Sequence, residues 1–315
     1  MDLGVTLPTS GPHAGPDAIV RVAREAEALG YASVWTYERL LCPLGDVPQP
    51  GGPPRPLPEH NRTTYEPLET LAYVAAQTRT VRLGTSVLTA LFHVPVTLAR
   101  RLATLDRFSG GRAVAGLGQG WIRQEFTAAG VPPRRRGRGF EEFVAALRAA
   151  WAPDPVSFEG DFYRIPPSAV NPKPCRPGGV PVLVGGFAPA AVERAGRIGD
   201  GFNPMLVSPE ALASSIGRFR AAAAAAGRDP GSLTVAVRAN TPMTAETWDE
   251  RRPFLGGSPE QIAEDLPRAA GMGVDEVLFT NPLQPPIDEQ LRLLERLSVR
   301  AARVAQPAAR AATTP

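Results

Sequence analysis

The chain has 315 residues, 43% of them apolar and 21% charged, which supports a buried core and excludes a disordered low-complexity chain. Two cysteines, Cys42 and Cys175, exclude a disulfide scaffold and a thiolate zinc site, and His13, His60 and His93 share no metal-ligand spacing. The net charge of +3 is carried by arginines dispersed along the chain, Lys173 being the only lysine, so composition does not point to nucleic acid.

Strand and helix signals alternate along the chain. Leu3–Leu7 reads as a short apolar strand, and Ile19, Val22, Ala23, Ala26 and Leu29 then recur at helical spacing up to the stop at Gly30. Ser33–Thr36 is a second strand, Leu68–Thr78 a helix and Val81–Leu88 a third strand. A helix carries Leu98, Leu102, Leu105 and Phe108, and a strand follows at Arg112–Leu117. Phe140, Phe143, Val144, Leu147 and Trp151 form the clearest amphipathic stripe. Val180–Val184 precedes a helix with Val192, Ala195 and Ile198, and Gly201–Asn203 is a short strand. Ser208-Pro209-Glu210 starts a helix, with a hydroxyl at the cap and proline at the first helical position. Leu233–Arg238 is a strand, and Ser258-Pro259-Glu260-Gln261 repeats the start signal with glutamine at the capping-box position. Val274–Phe279 and Ile287–Val299 are the last strand and helix.

Strands separated by helices imply parallel pairing, because each crossover returns the chain to the same edge. Eight such units predict an α/β fold, a single (β/α)8 TIM barrel over residues 1–303, with insertions after strand two and before strand five. The alternative is an open doubly wound sheet, which alternates in the same way but usually has fewer units. The first insertion, residues 41–63, holds seven prolines and three glycines. It is a βα loop, so in a barrel it belongs at the catalytic face and reads as a substrate lid. The second, residues 152–179, contains a hairpin around Glu159-Gly160-Asp161. Residues 304–315, rich in Ala, Pro and Thr, read as a disordered tail. The N-terminal stretch has no signal-peptide pattern, and no run approaches roughly 18 apolar residues, so a soluble cytoplasmic protein without membrane spans is expected.

Several segments could carry chemistry. Gly116-Leu117-Gly118-Gln119-Gly120-Trp121 resembles a dinucleotide fingerprint but fails it: Trp121 stands at the third glycine and the motif follows the wrong strand. Its alternate glycines still leave one strand face bare, where a flat ring could approach the backbone. Val184-Gly185-Gly186-Phe187 joins a strand to a helix and could aim amides at an anion, or simply make the turn. Gly84-Thr85-Ser86-Val87-Leu88-Thr89 could line a pocket with hydroxyls. Glu38 and Arg39 end strand two, and His13 and His93 follow strands one and three, so all four can reach the mouth. Arg134-Arg135-Arg136-Gly137-Arg138 is either a solvated face or an attractor for a polyanionic tail.

In order, these segments resemble the luciferase-like monooxygenase superfamily, in particular its branch of coenzyme F420-dependent oxidoreductases. The matching stretches include Ala28–Trp35, Val81–Leu88, Leu102–Arg112, Gly116–Trp121 with Glu125-Phe126, Ser157–Gly160, Asn171–Pro174, Val184–Gly186 and Gly199–Phe202, spanning about residues 1–300. The resemblance implies a (deaza)flavin across the barrel mouth and a non-proline cis peptide at Ser86-Val87. It implies that this bulge supports the ring together with Glu38, Thr85 and Thr89. Gly118, Gln119, Gly120 and Gln124 would lie along the ring and ribityl chain, and Gly185, Gly186 and Phe187 around the phosphate. Many relatives carry Asp-His where this chain has Glu38-Arg39, and an arginine cannot donate a proton near neutral pH. By position the catalytic candidates are Glu38, Arg39 and His93, and the proton source is His93, His13, Tyr37 or water. The implied activity is hydride transfer between coenzyme F420 and a small organic substrate. The alternatives are an FMN-dependent monooxygenase using reduced flavin and dioxygen, and a catalytically silent flavin-binding protein. The resemblance also implies a possible homodimer through helices two and three.

Overall fold

The computed structural model describes residues 1–49, 52–249 and 251–311, the side chains of 305–311 excepted. Eight short parallel strands close on themselves: β1 (Asp2–Thr6), β2 (Ser33–Thr36), β3 (Arg82–Thr85), β4 (Ala113–Gly118), β5 (Val182–Gly185), β6 (Gly201–Asn203), β7 (Thr234–Ala239) and β8 (Glu276–Phe279). Each pairs with the next in sequence, β8 pairs with β1, and β4 pairs with β5, so no edge is left. This is the expected (β/α)8 TIM barrel, and the open-sheet alternative is excluded.

The helices are α1 (Pro16–Ala28), α2 (Pro67–Ala75), α3 (Pro95–Ser109), α4 (Arg123–Ala128), α5 (Arg138–Trp151), α6 (Pro189–Ile198), α7 (Pro209–Ala225), α8 (Pro259–Gly271) and α9 (Ile287–Ala311). Proline opens six of them, because its missing N–H falls where a helix has no acceptor for it. Ser208 Oγ caps α7 by accepting from Ala211 N at 3.2 Å, and Ser258 and Gln261 form the predicted capping box on α8. The α5 stripe buries Phe140, Phe143, Val144, Leu147 and Trp151, and Trp151 Nε1 donates to Ala99 O of α3 at 2.9 Å. Inside the bore a separate small core of Trp35, Val114, Leu183, Ala236 and Leu278 fixes which residues of each strand point inward.

As the resemblance implied, the Ser86–Val87 peptide is cis; it interrupts the third strand, and pairing resumes at Leu88–Thr89. Three features differ from the sequence reading. Helix α4 was not foreseen; it is only six residues long and lacks a stripe. The first insertion is not a bare loop, since Asp46–Gln49 pairs with Gly52–Pro56 and Glu59–Arg62 makes a 3₁₀ turn. Tyr65 N donating to Thr9 O at 2.9 Å pins its end to the loop after β1. Finally, α9 runs past Arg303 to Ala311, where composition predicted an unstructured tail; residues 312–315 lie outside the described residues.

Candidate active site

The mouth of the barrel is shaped by Val87. A Cβ on Gly118 would come within 2.6 Å of Val87 Cγ2, and one on Gly185 within 2.9 Å of Val87 Cγ1. A Cβ on Gly116 would strike the carbonyl oxygen of Thr85. The bare glycine face of β4 therefore receives the β3 bulge, not a ring laid directly on it. With Val87 seated there, the bulge becomes the floor of the mouth. Gly120, at φ +74°, packs its backbone against Thr89 Cγ2 and Phe126 in a conformation that favours glycine.

Glu38 is held between β2 and β3. Thr89 N donates to Glu38 Oε2 at 2.6 Å, and His93 Nε2 lies 2.7 Å from Glu38 Oε1. Both side chains are largely buried. A carboxylate on an imidazole nitrogen fixes the ring and its tautomer, so the pair can hold and exchange a proton. Arg39 turns away from it. Its Nη1 lies 3.2 Å from each oxygen of Glu125 on α4, and its guanidinium sits 5.8 Å from the Trp121 ring centroid. Leu40 N also donates to Glu125 Oε1 at 3.0 Å, so the carboxylate anchors the start of the insertion. Burial pushes the Glu125 carboxyl up, against the pull of Arg39 and the backbone donors. Arg39 Nε is buried with no partner among the described residues.

Across the bore, Ser86 Oγ donates to Asn203 Oδ1 at 2.7 Å, and Asn203 Nδ2 donates to Ala236 O at 2.6 Å. Arg238 Nη1 donates to Ser86 O at 2.6 Å, joining β7 to β3 on opposite sides of the barrel. The Thr85 hydroxyl is fully engaged with Gly116, donating to its carbonyl and accepting from its amide at 2.9 and 3.0 Å. It ties β3 to β4 and has no proton left to donate to a ligand.

At the strand-five rim, Gly186 sits so close to α6 that a Cβ would lie 2.8 Å from Ala191 Cβ. No side chain caps α6, and Phe187 is exposed, so the amides before Pro189 are free to face an anion. Gln119 Oε1 is engaged by Gly137 N at 2.6 Å, leaving only the rest of Gln119 for a ligand, and Gln124 is exposed on α4. His13 is exposed on the loop after β1. The basic run is largely absorbed: Arg135 lies over Phe162 and Tyr163, Arg136 over Phe126, and Arg138 pairs with Asp161 at 2.6 Å.

Sequence reading missed Glu125, Asn203 and Arg238. The one available signal was Arg238 itself, a charge in the apolar strand Val235-Ala236-Val237-Arg238-Ala239, in phase with the inward-facing Ala236. A floor at Val87, an uncapped helix start at the rim and a buried unpartnered Arg39 nitrogen together fit a planar ring cofactor with a phosphate arm. No helix among the described residues is long and apolar enough to cross a membrane, and no cluster of metal-ligating side chains is found among them.

A family profile described as luciferase-like monooxygenase matches residues 1–273. An uncharacterised Mycobacterium tuberculosis protein is 31% identical over 311 residues, 96% of this chain and 99% of its own length. The chain also resembles, over about half their lengths, two enzymes of differing cofactor. A FMNH(2)-dependent dimethylsulfone monooxygenase of Pseudomonas putida is 35% identical over 61% of this chain and 52% of its own. An F420-dependent glucose-6-phosphate dehydrogenase of Amycolatopsis mediterranei is 31% identical over 64% and 56%. Among solved structures, the monooxygenase RslO1 from Streptomyces bottropensis aligns with TM-score 0.78 and 25% identity over 96% of this chain and 99% of its own.

Proposed function

The chain belongs to the luciferase-like monooxygenase family, and from that premise we propose that it transfers a hydride between coenzyme F420, a deazaflavin, and a small organic substrate at the barrel mouth. The observation that carries this reading is the Glu38–His93 pair beside the Val87 floor. Moving a hydride to a carbonyl, or back from the alcohol, leaves a proton to be supplied or removed, and a carboxylate-held imidazole is placed to do that. When bound, the deazaflavin supplies the carbon that gives or takes the hydride.

The chain's residues then divide the work. Val87, seated against Gly118 and Gly185, supports the ring, and Gly120 lets the backbone turn close against Thr89 at the rim. The amides of Gly185, Gly186 and Phe187 hold the phosphate. Glu38 orients His93 through Nε2, so the exchangeable proton is carried on Nδ1. Thr89 and Gln124 line the rim, and the Arg39–Glu125 pair holds the insertion over the mouth so that water is excluded. Arg39 is thus a positioning residue. Two copies pair through α2 and α3, where Leu68, Ala72 and Phe108 line a cleft of about 360 Å³ and Phe108 is exposed.

A second reading, an FMN-dependent monooxygenase, is favoured by one observation: the arginine run expected to attract a polyglutamate tail is engaged with Phe126, Asp161, Phe162 and Tyr163. Titrating the purified protein with coenzyme F420 and with FMN, followed by absorbance, separates the two. Tighter deazaflavin binding is expected. Tight FMN binding with none of the deazaflavin reverses the order, and binding of neither leaves a protein without redox chemistry.

A further inference from the structure

Among the described residues, Arg238 is a cation with no anion. It leaves β7 on the side of Ala236, one layer nearer the mouth. Its only strong acceptor among the described residues is the Ser86 carbonyl, at 2.6 Å. A second nitrogen, Nη2, reaches Met205 Sδ at 3.8 Å, and Asn240 Nδ2 reaches the same sulfur at 3.5 Å. A thioether is a weak acceptor, here approached by two donors. No carboxylate lies within ion-pair distance of Arg238 among the described residues, whereas Arg39 at the same mouth has Glu125. Burial pulls the Arg238 pKa down, yet a guanidinium stays charged at any physiological pH.

Holding the bulge carbonyl does not require this charge. One neutral donor would make the same bond without partly desolvating a cation that has no anion among the described residues. A guanidinium presents five N–H groups in a fixed plane, a match for two oxygens in one plane. We infer that Arg238, with Asn240 beside it, is an anion-recognition subsite of the mouth that takes a planar delocalised oxyanion such as a substrate carboxylate. The ring cofactor's dione edge, when ionised, offers the same chemistry from a second source. The inference rests on the mouth being the reaction site and adds the charge class of what is bound there.

Calorimetry with benzoate and benzamide tests it, because the two probes share shape and differ in charge. The native protein should bind benzoate at least about tenfold more tightly than benzamide, the effect of one charge-assisted pair. Arg238→Gln retains a donor for the Ser86 carbonyl and should keep the native melting temperature while losing that preference. Arg238→Lys, which keeps the charge but not the fork, should retain part of it. Loss of preference with unchanged FMN and F420 affinity assigns the subsite to the substrate. A fall of about tenfold in affinity for the reduced cofactor alone, with benzoate unaffected, assigns it to the ring. A native protein without preference, or an Arg238→Gln protein that keeps both the preference and the reduced-cofactor affinity, overturns the inference and leaves Arg238 a clamp on the bulge. Calorimetry reads benzoate without any cofactor, so absent cofactor binding would sink the function proposed above while the benzoate result still decides this one.

Discussion

The two ends of the barrel are built from the same strands and treat polar groups in opposite ways. At the amino end, Trp35 fills the bore and donates through Nε1 to Ser33 Oγ at 2.5 Å. Ser33 in turn donates to Glu276, whose other oxygen accepts from Arg82 Nη2 at 3.1 Å, and Arg82 reaches Asp2 at 2.7 Å. Gly4 and Gly84 exist there to admit these side chains, since a Cβ on Gly84 would strike the Trp35 ring. The indole and the hydroxyl of this network each donate to an acceptor of the chain. At the carboxyl end, Gly118 and Gly185 admit Val87, and Arg238 and Arg39 Nε keep donor capacity with no strong acceptor to match it among the described residues. The closed end holds shape. The open end holds donors that a ligand can satisfy.

Substitutions at the two ends should therefore separate stability from binding. The largest effect is expected from Trp35→Ala, which empties the bore: a loss of about 3–5 kcal/mol in urea unfolding. This variant should bind cofactor normally at temperatures where it stays folded. Gly118→Ala at the mouth should cost about 1–3 kcal/mol by overpacking against Val87 and should also weaken cofactor binding. Adding Val87→Ala should restore stability but not affinity, because the floor is then missing; recovery of both would mean the floor plays no part in binding.

Two carboxylates near the closed end sharpen the contrast through pH. Burial opposes ionisation of Glu27, but the backbone amides of Thr80, Arg79 and Val81 and the Thr80 hydroxyl outweigh it and hold the pKa at about 2. Its contribution is present above the ordinary 4.5 and is lost as pH falls towards 2. Glu27→Gln should cost about 1–2 kcal/mol at neutral pH, discounted for partial solvent screening, and should flatten the acid limb of a melting-temperature profile. Glu276 shifts the other way: burial raises its pKa, with Arg82 pulling against it. The stability of the neutral form is present below 4.5 and fades as pH rises through the raised value. Glu276→Gln should thus gain on the native protein as pH rises from 4 to 8, the smallest of these effects, read from the same profile. An opposite trend would mean that Arg82 outweighs burial.

The amino-acid order alone determined the barrel, because each strand and helix is announced locally: short apolar runs, proline at helix starts, glycine stops, the Ser258 capping box and the α5 stripe. Glu38, His93 and the glycine segments were legible for the same reason, since their position at strand ends follows from the elements. Their partners were not. Glu38 could have faced a ligand alone, yet meets His93, and Arg39 left it for Glu125, 86 positions away. The glycines of β4 received Val87, and the arginine run closed on the aromatic side chains of a hairpin some 25 residues further on. Arg238 reached a carbonyl 152 positions away across the bore. Periodicity is a property of neighbours along the chain, whereas hydrogen bonds and steric fit are properties of neighbours in space. Only closure of the strands brought these groups together and decided which donors would remain unmet.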